Sequence, residues 1–273
     1  MSTKIIFTDL DGTLLDHHQQ IGPKTKALVA ELKRRGIPFV PVSARMPGAI
    51  IPLMQQLGVT TPMVCFNGGL LKNEAGATIA STPIPHEIVA RALATIEKAH
   101  QDMNIPIARN IYSETKWMTE HPESEQAKHE SEVLLTQPTK VCYDTVLEGD
   151  TPIYKLSCCT HFELKEETRE LERRLSEALP ELAVHCSAGW YIELSAATST
   201  KGNGLRSMCK LLGIPVEDSI AFGDNFNDID MLQAAGLGVC MANGPAQVKA
   251  IADDVTEKTN DEEGLAEYLW KLL

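Results

Sequence analysis

Asp9-Leu10-Asp11-Gly12-Thr13 is the stretch that decides the fold. The residues before it, Lys4 to Thr8, are mostly apolar and β-prone, which predicts a buried strand. In an open α/β sheet, ligands bind at the carboxyl ends of the strands, which is where the two aspartates fall. Carboxylates two residues apart share one side of an extended chain and repel each other, so the pattern predicts a bound cation or separate roles. A polar turn that only closes the strand is the alternative for this stretch taken alone.

The charge balance narrows the classes of partner. The 273 residues carry 25 basic and 37 acidic side chains, a net charge of −12, which argues against nucleic acid or an anionic membrane. The sequence shows no basic-then-apolar leader and no apolar run near the ~20 residues that span a bilayer. We therefore expect a cytoplasmic protein, as a monomer or weak homodimer. The seven cysteines lack Cys-x-x-Cys spacing and are expected to be reduced and mostly buried.

Two further segments repeat the pattern of a buried strand that ends in polar side chains. Pro38 to Val42 ends at Ser43, and Met63 to Phe66 ends at Asn67. Helical patterns lie between these strands, and this alternation predicts right-handed βαβ units in a parallel sheet. We expect Asp9, Ser43 and Asn67 to gather at one edge of that sheet.

The middle of the chain has a different pattern. Residues 84–189 contain short alternating segments and one long charged helix, which predicts an α+β insert of mostly meandering strands. The α/β alternation then resumes. We therefore expect a Rossmann-like α/β core at 1–83 and 190–273, interrupted by the insert.

A second acidic strand end, Gly223-Asp224-x-x-Asn227-Asp228, follows the apolar run Ser219 to Phe222. Several carboxylate and amide oxygens at one sheet edge suit a hard divalent cation. Mg²⁺ is favoured because it commonly takes one or two carboxylates besides water and phosphate oxygens. The structural alternative for Asn227 and Asp228 is capping of the next helix.

A single lysine, Lys201, stands in a Ser-Thr-Lys-Gly turn before a predicted helix. Taken alone it would be an exposed surface lysine. A pocket of several carboxylates that holds a phosphate, however, needs a compensating cation. Ser43 taken alone is an ordinary strand-end serine or helix cap. Together with Lys201 and the carboxylates, however, it indicates a specific site more strongly than any one of these residues does alone.

These motifs together identify a family. Asp9-x-Asp11-Gly12-Thr13, Ser43, Lys201 and Gly223-Asp224-x-x-Asn227-Asp228 resemble, in order and context, the four motifs of the haloacid dehalogenase superfamily. The whole chain resembles its Cof-type branch, phosphatases with an α+β cap of type C2 inserted after the third core strand. One departure is Ala44, where the family often has glycine.

The resemblance implies roles for the acidic residues and the lysine. Asp9 would be the nucleophile that forms an aspartyl-phosphate. Asp11 would be the general acid that protonates the leaving alcohol, and then the base that activates water. Lys201 would neutralise charge on the phosphoryl group and on Asp9. Mg²⁺ would bind Asp9, the backbone carbonyl of Asp11 and Asp224. Asn227 and Asp228, the latter also a candidate metal residue, would be supporting: one near the phosphate or metal, and the other orienting Lys201 or a metal-bound water.

The resemblance also implies a phosphate site and a specificity region. Ser43 would donate to a phosphoryl oxygen, and Asn227, Arg45, Asn67 and Gly68 are expected on the phosphate side or just behind it. The cap at 84–189 would select the leaving group. Cationic and aromatic candidates there are Arg109, Trp117, Lys155, His185, Trp190 and Tyr191.

The function expected from the sequence is Mg²⁺-dependent hydrolysis of a small phosphorylated metabolite. Sugar phosphates come first, and flavin or pyridoxal phosphates are alternatives. A phosphomutase of the phosphomannomutase type is a second hypothesis, to be distinguished by its products. A non-catalytic binding protein that keeps the fold is a third, disfavoured because every motif residue is present.

Overall fold

A computed structural model describes residues 4–134, 136–187 and 189–273 of the chain. The chain forms two compact units. The first, here called the core unit, comprises Met1–Arg45, Ile50–Ser81 and Thr200–Leu273. The second, here called the inserted unit, comprises Met46–Ala49 and Thr82–Ser199.

Strands occur in both units. In chain order, the described strands are β1 (Ile5–Thr8), β2 (Phe39–Pro41), β3 (Met63–Cys65), β4 (Leu70–Lys72), β5 (Thr78–Ser81), β6 (Ala108–Tyr112), β7 (Trp117–Thr119), β8 (Thr139–Lys140), β9 (Lys155–Cys159), β10 (Leu182–Cys186), β11 (Tyr191–Ala196), β12 (Ser219–Gly223), β13 (Leu237–Cys240) and β14 (Asp254–Val255).

The helices alternate with these strands. In chain order, the described helices are α1 (Pro23–Arg34), α2 (Pro47–Gln56), α3 (His86–Met103), α4 (Glu125–Leu134), α5 (Tyr143–Glu148), α6 (Lys165–Ala178), α7 (Lys201–Leu212), α8 (Ile229–Ala234), α9 (Ala246–Lys249) and α10 (Gly264–Leu272). Within the described ranges, no helix combines the length and the apolar character needed to cross a membrane.

A parallel five-stranded sheet, in the order β14-β13-β12-β1-β2, lies at the centre of the core unit. β1 lies between β12 and β2, and all four of its residues are buried. Burial on both faces explains why its sequence is apolar throughout rather than alternating. A parallel bridge between Val42 and Val64 joins the end of β2 to β3, which continues as an antiparallel extension through β4 and β5. The predicted parallel α/β core is confirmed.

Helices cover this sheet with apolar side chains. α1 begins at Pro23 and ends at Arg34, as proline in the first turn and basic residues in the last turn predict. In α7, Leu205 and Met208 are fully buried in the same apolar cluster as Phe7 of β1. The helices cover the faces of the sheet and leave its carboxyl edge uncovered by these apolar contacts. Because the strands are parallel, their polar ends meet at that edge.

A six-stranded sheet, in the order β10-β11-β9-β6-β7-β8, forms the centre of the inserted unit. Its neighbours are antiparallel except for the pair β7 and β8. Ile96 of α3 and Leu171 of α6 share a buried apolar cluster with Leu156 and Ile192 of the sheet. The alternate residues of those strands therefore face away from this cluster.

The ends of the inserted unit differ from the expected 84 and 189. The longer of its two segments begins at Thr82 and continues to Ser199. β11, which the sequence placed in the resuming core, pairs antiparallel with both β9 and β10 of the inserted sheet. An isolated β-strand pattern does not indicate which sheet its backbone will join, so the sequence alone does not decide between the two sheets for β11.

Candidate active site

The carboxyl edge of the core sheet brings the two acidic strand ends together. β1 and β12 are parallel neighbours, with Thr8 opposite Phe222, and the Asp9 amide donates to the Phe222 carbonyl at 2.9 Å. Asp9 and Asp224 therefore follow adjacent strands. One carboxylate oxygen from each of Asp9, Asp224 and Asp228 lies within 4.8 Å of the others. The three side chains could hold one cation between them.

Asp228 is fully buried and fixes the loop after β12. Its Oδ2 accepts hydrogen bonds from the backbone N–H groups of Asp224 and Asn225, both at 2.9 Å. Asn225 Oδ1 accepts from the N–H of Phe226 at 2.8 Å. Asp228 thus has a capping role in this turn, and its other oxygen remains for a cation.

Lys201 supplies that cation, and the alternative of an exposed surface lysine is wrong. It is the first residue of α7, after the N-cap Thr200, whose Oγ1 accepts from the N–H of Asn203 at 3.2 Å. Lys201 Nζ lies 2.7 Å from Asp9 Oδ1 and 2.6 Å from Asp228 Oδ1. Its side chain is 1% exposed, so both ion pairs are shielded from water.

The charges in this cluster are not balanced. Burial raises the pKa of Asp9 well above its ordinary value, and the charge of Asp228 raises it further against the opposing effect of Lys201. Burial and Asp228 raise the pKa of Asp224 to about 6, although Thr13 Oγ1 donates to Asp224 Oδ1 at 2.8 Å. Burial would lower the pKa of Lys201, but Asp228 and Asp9 outweigh it and the net pKa is raised. Three carboxylates against one ammonium leave an excess negative charge that a bound cation would relieve.

Asp11 lies in a different environment from Asp9. Its side chain is half exposed and forms a bidentate ion pair with Arg45, with Arg45 Nε 3.0 Å from Asp11 Oδ2. Arg45 also donates to Gln19 Oε1. The sequence placed Arg45 on the phosphate side or just behind it, and the structure places its guanidinium on the carboxylate of Asp11. The two aspartates of the opening motif therefore lie in different environments, one buried beside Lys201 and the other half exposed beside Arg45.

The ends of β2 and β3 place Ser43 beside Asn67. Ser43 is buried, its Oγ accepts from the backbone N–H of Arg45 at 3.2 Å, and its carbonyl accepts from the N–H of Asn67 at 2.9 Å. Asn67 has a left-handed φ of 53°, and its Oδ1 is buried without a hydrogen-bond partner among the described residues. Gly68 has φ 103°, and a Cβ there would lie 2.3 Å from the Thr200 carbonyl oxygen. Glycine thus allows this loop to approach the start of α7.

Three further side chains lie near these strand ends, one that the sequence predicted for the site and two that it did not. Asn227, expected near the phosphate, is exposed. Gln19 was missed, because it lies in a polar loop with no motif. Asn243 was also missed, although it follows β13 in the strand-end position that marks the other site residues. Its Nδ2 donates to the carbonyl of Gly12 at 2.8 Å and so supports the loop that carries Asp11.

The specificity candidates of the inserted unit do not form one group. Trp117 is fully buried and His185 is exposed. Lys155 and Arg109 are held in ion pairs with glutamates, at 2.8 and 3.0 Å. Trp190 is the member of this group that lines a cavity of the inserted unit.

Comparison with known proteins agrees with this geometry. A family profile described as haloacid dehalogenase-like hydrolase matches residues 6–269. A Haemophilus influenzae protein, provisionally named a phosphatase, is 34% identical over 272 residues, covering 97% of each chain. The pyridoxal phosphate phosphatase YbhA of Escherichia coli is 28% identical over 278 residues and the full length of both chains.

A solved structure extends the comparison to the fold. A haloacid dehalogenase-like hydrolase from Bacteroides thetaiotaomicron superimposes with a TM-score of 0.88 at 24% identity. The alignment covers 99% of this chain and 100% of that one, so the likeness includes both the core and the inserted unit.

Proposed function

This chain belongs to the haloacid dehalogenase-like hydrolase family and is a phosphatase, and on that premise we propose that it hydrolyses small phosphorylated metabolites with Mg²⁺ through an aspartyl-phosphate on Asp9. The observation that carries the proposal is the buried contact of Asp9 with Lys201, beside the carboxylates of Asp224 and Asp228. A carboxylate held next to a fixed cation, with two further acidic ligands, suits attack on an anionic phosphoryl group.

Asp9 and Lys201 act in the first half-reaction. An oxygen of Asp9 attacks phosphorus, forming a bond to it while the bond from phosphorus to the leaving oxygen breaks. The ammonium of Lys201, 2.7 Å from Asp9 Oδ1, stays paired with the carboxylate and offsets the charge gathered on the phosphoryl oxygens. Ser43 can donate its hydroxyl hydrogen to one of those oxygens. We also assign to the phosphate side Asn67, Gly68 and Asn227.

Asp11 transfers a proton in each half-reaction. As the leaving oxygen departs, Asp11 in its protonated form gives it a proton and becomes a carboxylate; in the second half-reaction this carboxylate takes a proton from the water that attacks the aspartyl-phosphate, which restores the protonated form. That attack breaks the bond between phosphorus and the Asp9 oxygen, which restores the free carboxylate and releases phosphate. Arg45 and Gln19 fix the position of the Asp11 carboxylate, because the bidentate ion pair restricts its rotation.

The donor set fits a hard divalent cation. Burial first, and then the negative charge of Asp228, raises the pKa of both Asp9 and Asp224, and Lys201 only partly opposes these effects. We propose that Asp9, Asp224 and the backbone carbonyl of Asp11 bind Mg²⁺, with Asp228 in support. When bound, Mg²⁺ shields the anionic nucleophile from the anionic substrate and polarises the phosphoryl group.

The test is phosphate release from a panel of sugar phosphates, pyridoxal 5′-phosphate and flavin mononucleotide. We expect release with Mg²⁺, loss of release when a chelator is present, and loss in Asp9→Asn protein. Full activity of Asp9→Asn would contradict the nucleophile. Conversion of one sugar phosphate into a positional isomer without phosphate release would indicate a phosphomutase instead. We assign selection of the leaving group to the inserted unit.

A further inference from the structure

A cavity in the inserted unit is not used by the chemistry proposed above. Its volume is about 440 Å³, within the range of small-molecule sites of roughly 300–1,000 Å³. It lies between α4, the loop that follows β9, and the residue that precedes β11. Seven residues line it: Glu125, Gln126, His129, Thr160, His161, Phe162 and Trp190.

Ring systems form most of its wall. The His129 ring meets Trp190 edge to face, with centroids 5.4 Å apart at 61°. The His161 ring lies 4.1 Å from that of Phe162. Phe162 is 61% exposed. Among the described residues of the inserted unit, no other large apolar side chain is exposed. An aromatic face left open beside a cavity, where other apolar side chains of the unit are covered, fits a ligand that stacks on it.

A buried hydrogen-bond network holds two walls of the cavity in place. Glu130, next to His129 on α4, accepts a hydrogen bond from Tyr191 at 2.6 Å and another from Tyr112. Tyr191 in turn follows Trp190 directly in the chain. The two rings that meet edge to face are therefore each anchored by a neighbour in the same network. A pocket fixed in this way loses little conformational freedom when a ligand enters.

The polar groups of the lining restrict the chemistry of that ligand. Neither lysine nor arginine occurs among the described lining residues, so the lining offers a phosphate no permanently charged cation, only neutral donors and the two histidines. Glu125 offers acceptors, and Gln126 offers an acceptor and donors. A sugar would bury several hydroxyls against ring walls, and each hydroxyl left without a partner costs about 1–3 kcal/mol. A flat ring instead places its faces against the aromatic side chains, and its few edge donors can bond to Glu125 and Gln126.

We propose that this cavity binds a planar heteroaromatic ring that carries N–H, amino or hydroxyl donors on its edge. Such a ring has two possible sources: the leaving group of the substrate itself, which rests on the proposed function, or a separate metabolite. A ring-bearing phosphate is named for the Escherichia coli relative, and the same ring chemistry follows here from this chain's own wall residues.

Binding is tested with pyridoxine, which has the ring but no phosphate, by titration calorimetry on the full chain. We expect saturable binding to the wild type, with affinity about tenfold weaker for Phe162→Leu, because one stacking face is worth about one power of ten. Trp190→Leu removes another aromatic ring of the lining and should weaken binding in the same way. Trp270→Leu is the matched control, because Trp270 is also exposed and lies in the core unit. Equal affinity for wild type and Phe162→Leu, or binding of glucose in place of pyridoxine, would overturn the proposal.

Turnover distinguishes the two sources of the ring. If the ring is the leaving group, Phe162→Leu raises KM for pyridoxal 5′-phosphate about tenfold and leaves KM for acetyl phosphate unchanged. If the ring is a separate metabolite, both KM values stay unchanged and pyridoxine alters turnover of acetyl phosphate without competing with it. Absence of turnover with every phosphoester would contradict the proposed function alone, since the calorimetry still decides whether the cavity binds the ring.

Discussion

Replacing Lys201 by methionine removes the positive charge that the structure places inside the acidic cluster. Lys201 Nζ lies within 2.7 Å of Asp9 and 2.6 Å of Asp228, and all three side chains are at most 7% exposed. Methionine keeps the length of the stem and fills the space, so the change is mainly electrostatic. Removing one partner of a buried ion pair typically costs about 3–5 kcal/mol, because the other charge stays buried without compensation. We expect a loss of that size in the free energy of unfolding near pH 7.

The loss should depend on pH in a definite direction. Burial already raises the pKa of Asp9 in the wild type, and removal of Lys201 takes away the charge that opposes this rise. A carboxylate with a raised folded-state pKa binds its proton more tightly in the folded chain than in the unfolded chain. Its contribution to stability is therefore present at low pH and is lost as the pH rises through the folded-state pKa. The deficit of Lys201→Met should be smaller near pH 5 than near pH 7.

Urea unfolding followed by circular dichroism, with a chelator present to remove metal ions, measures both effects. Lys24→Met is the matched control, because Lys24 is an exposed lysine paired with Glu267, and no measurable change is expected there. A loss below about 1 kcal/mol for Lys201→Met, or an equal deficit at both pH values, would refute the buried ion-pair account.

Three further predictions concern the two units. Gly68→Ala should destabilise the chain by about 2 kcal/mol or more in urea unfolding, since the residue has φ 103° and a Cβ would meet the Thr200 carbonyl. Gly76→Ala, with φ 77° but no atom within 4 Å, should lose about 1 kcal/mol from strain alone. Arg45→Ala should lower kcat about tenfold with KM nearly unchanged, more for an alkyl phosphate than for p-nitrophenyl phosphate, whose leaving group needs no proton. Glu130→Gln should gain stability relative to the wild type as the pH rises from about 5 to 7, because burial raises the pKa of Glu130 and glutamine cannot ionise.

Each of these predictions has an outcome that contradicts it. Equal effects of the two glycine substitutions would show that the approach of the loop to Thr200 is unimportant. A loss in Arg45→Ala confined to KM would place Arg45 on the phosphate rather than on Asp11. A constant difference in urea midpoint between Glu130→Gln and the wild type across the pH range would show that Glu130 titrates as an exposed carboxylate does.

The carboxyl edge of the core sheet could be predicted from the sequence, because strand burial and polar strand ends are local patterns. Asp9, Ser43 and Asp224 each follow a short apolar run, and parallel pairing then places them together. Lys201 was different. Its local sequence suggested an exposed lysine, and its burial followed only from the charge that the predicted pocket required.

Non-local geometry accounts for what the sequence did not reveal. Arg45 contacts both Asp11 and Gln19. Gln19 has a left-handed φ of 60°, which no sequence pattern predicted. The pairing of β11 with the inserted sheet is also non-local, because β11 has the same alternating pattern whichever sheet it joins. The cavity of the inserted unit draws its wall from three separate segments, so its ring character became visible only when the fold brought them together.

The central claim is that Asp9 carries the phosphoryl group during turnover. Acid quenching of the enzyme in the steady state with pyridoxal 5′-phosphate and Mg²⁺, followed by borohydride reduction, converts an aspartyl-phosphate to homoserine, which peptide mass spectrometry locates. Acetyl phosphate serves as a second substrate, so the result does not depend on the ring-binding cavity. We expect homoserine at residue 9 in the wild type and none in Asp9→Asn protein. Homoserine at Asp224 or Asp228, or phosphate release with no modified aspartate, would contradict it.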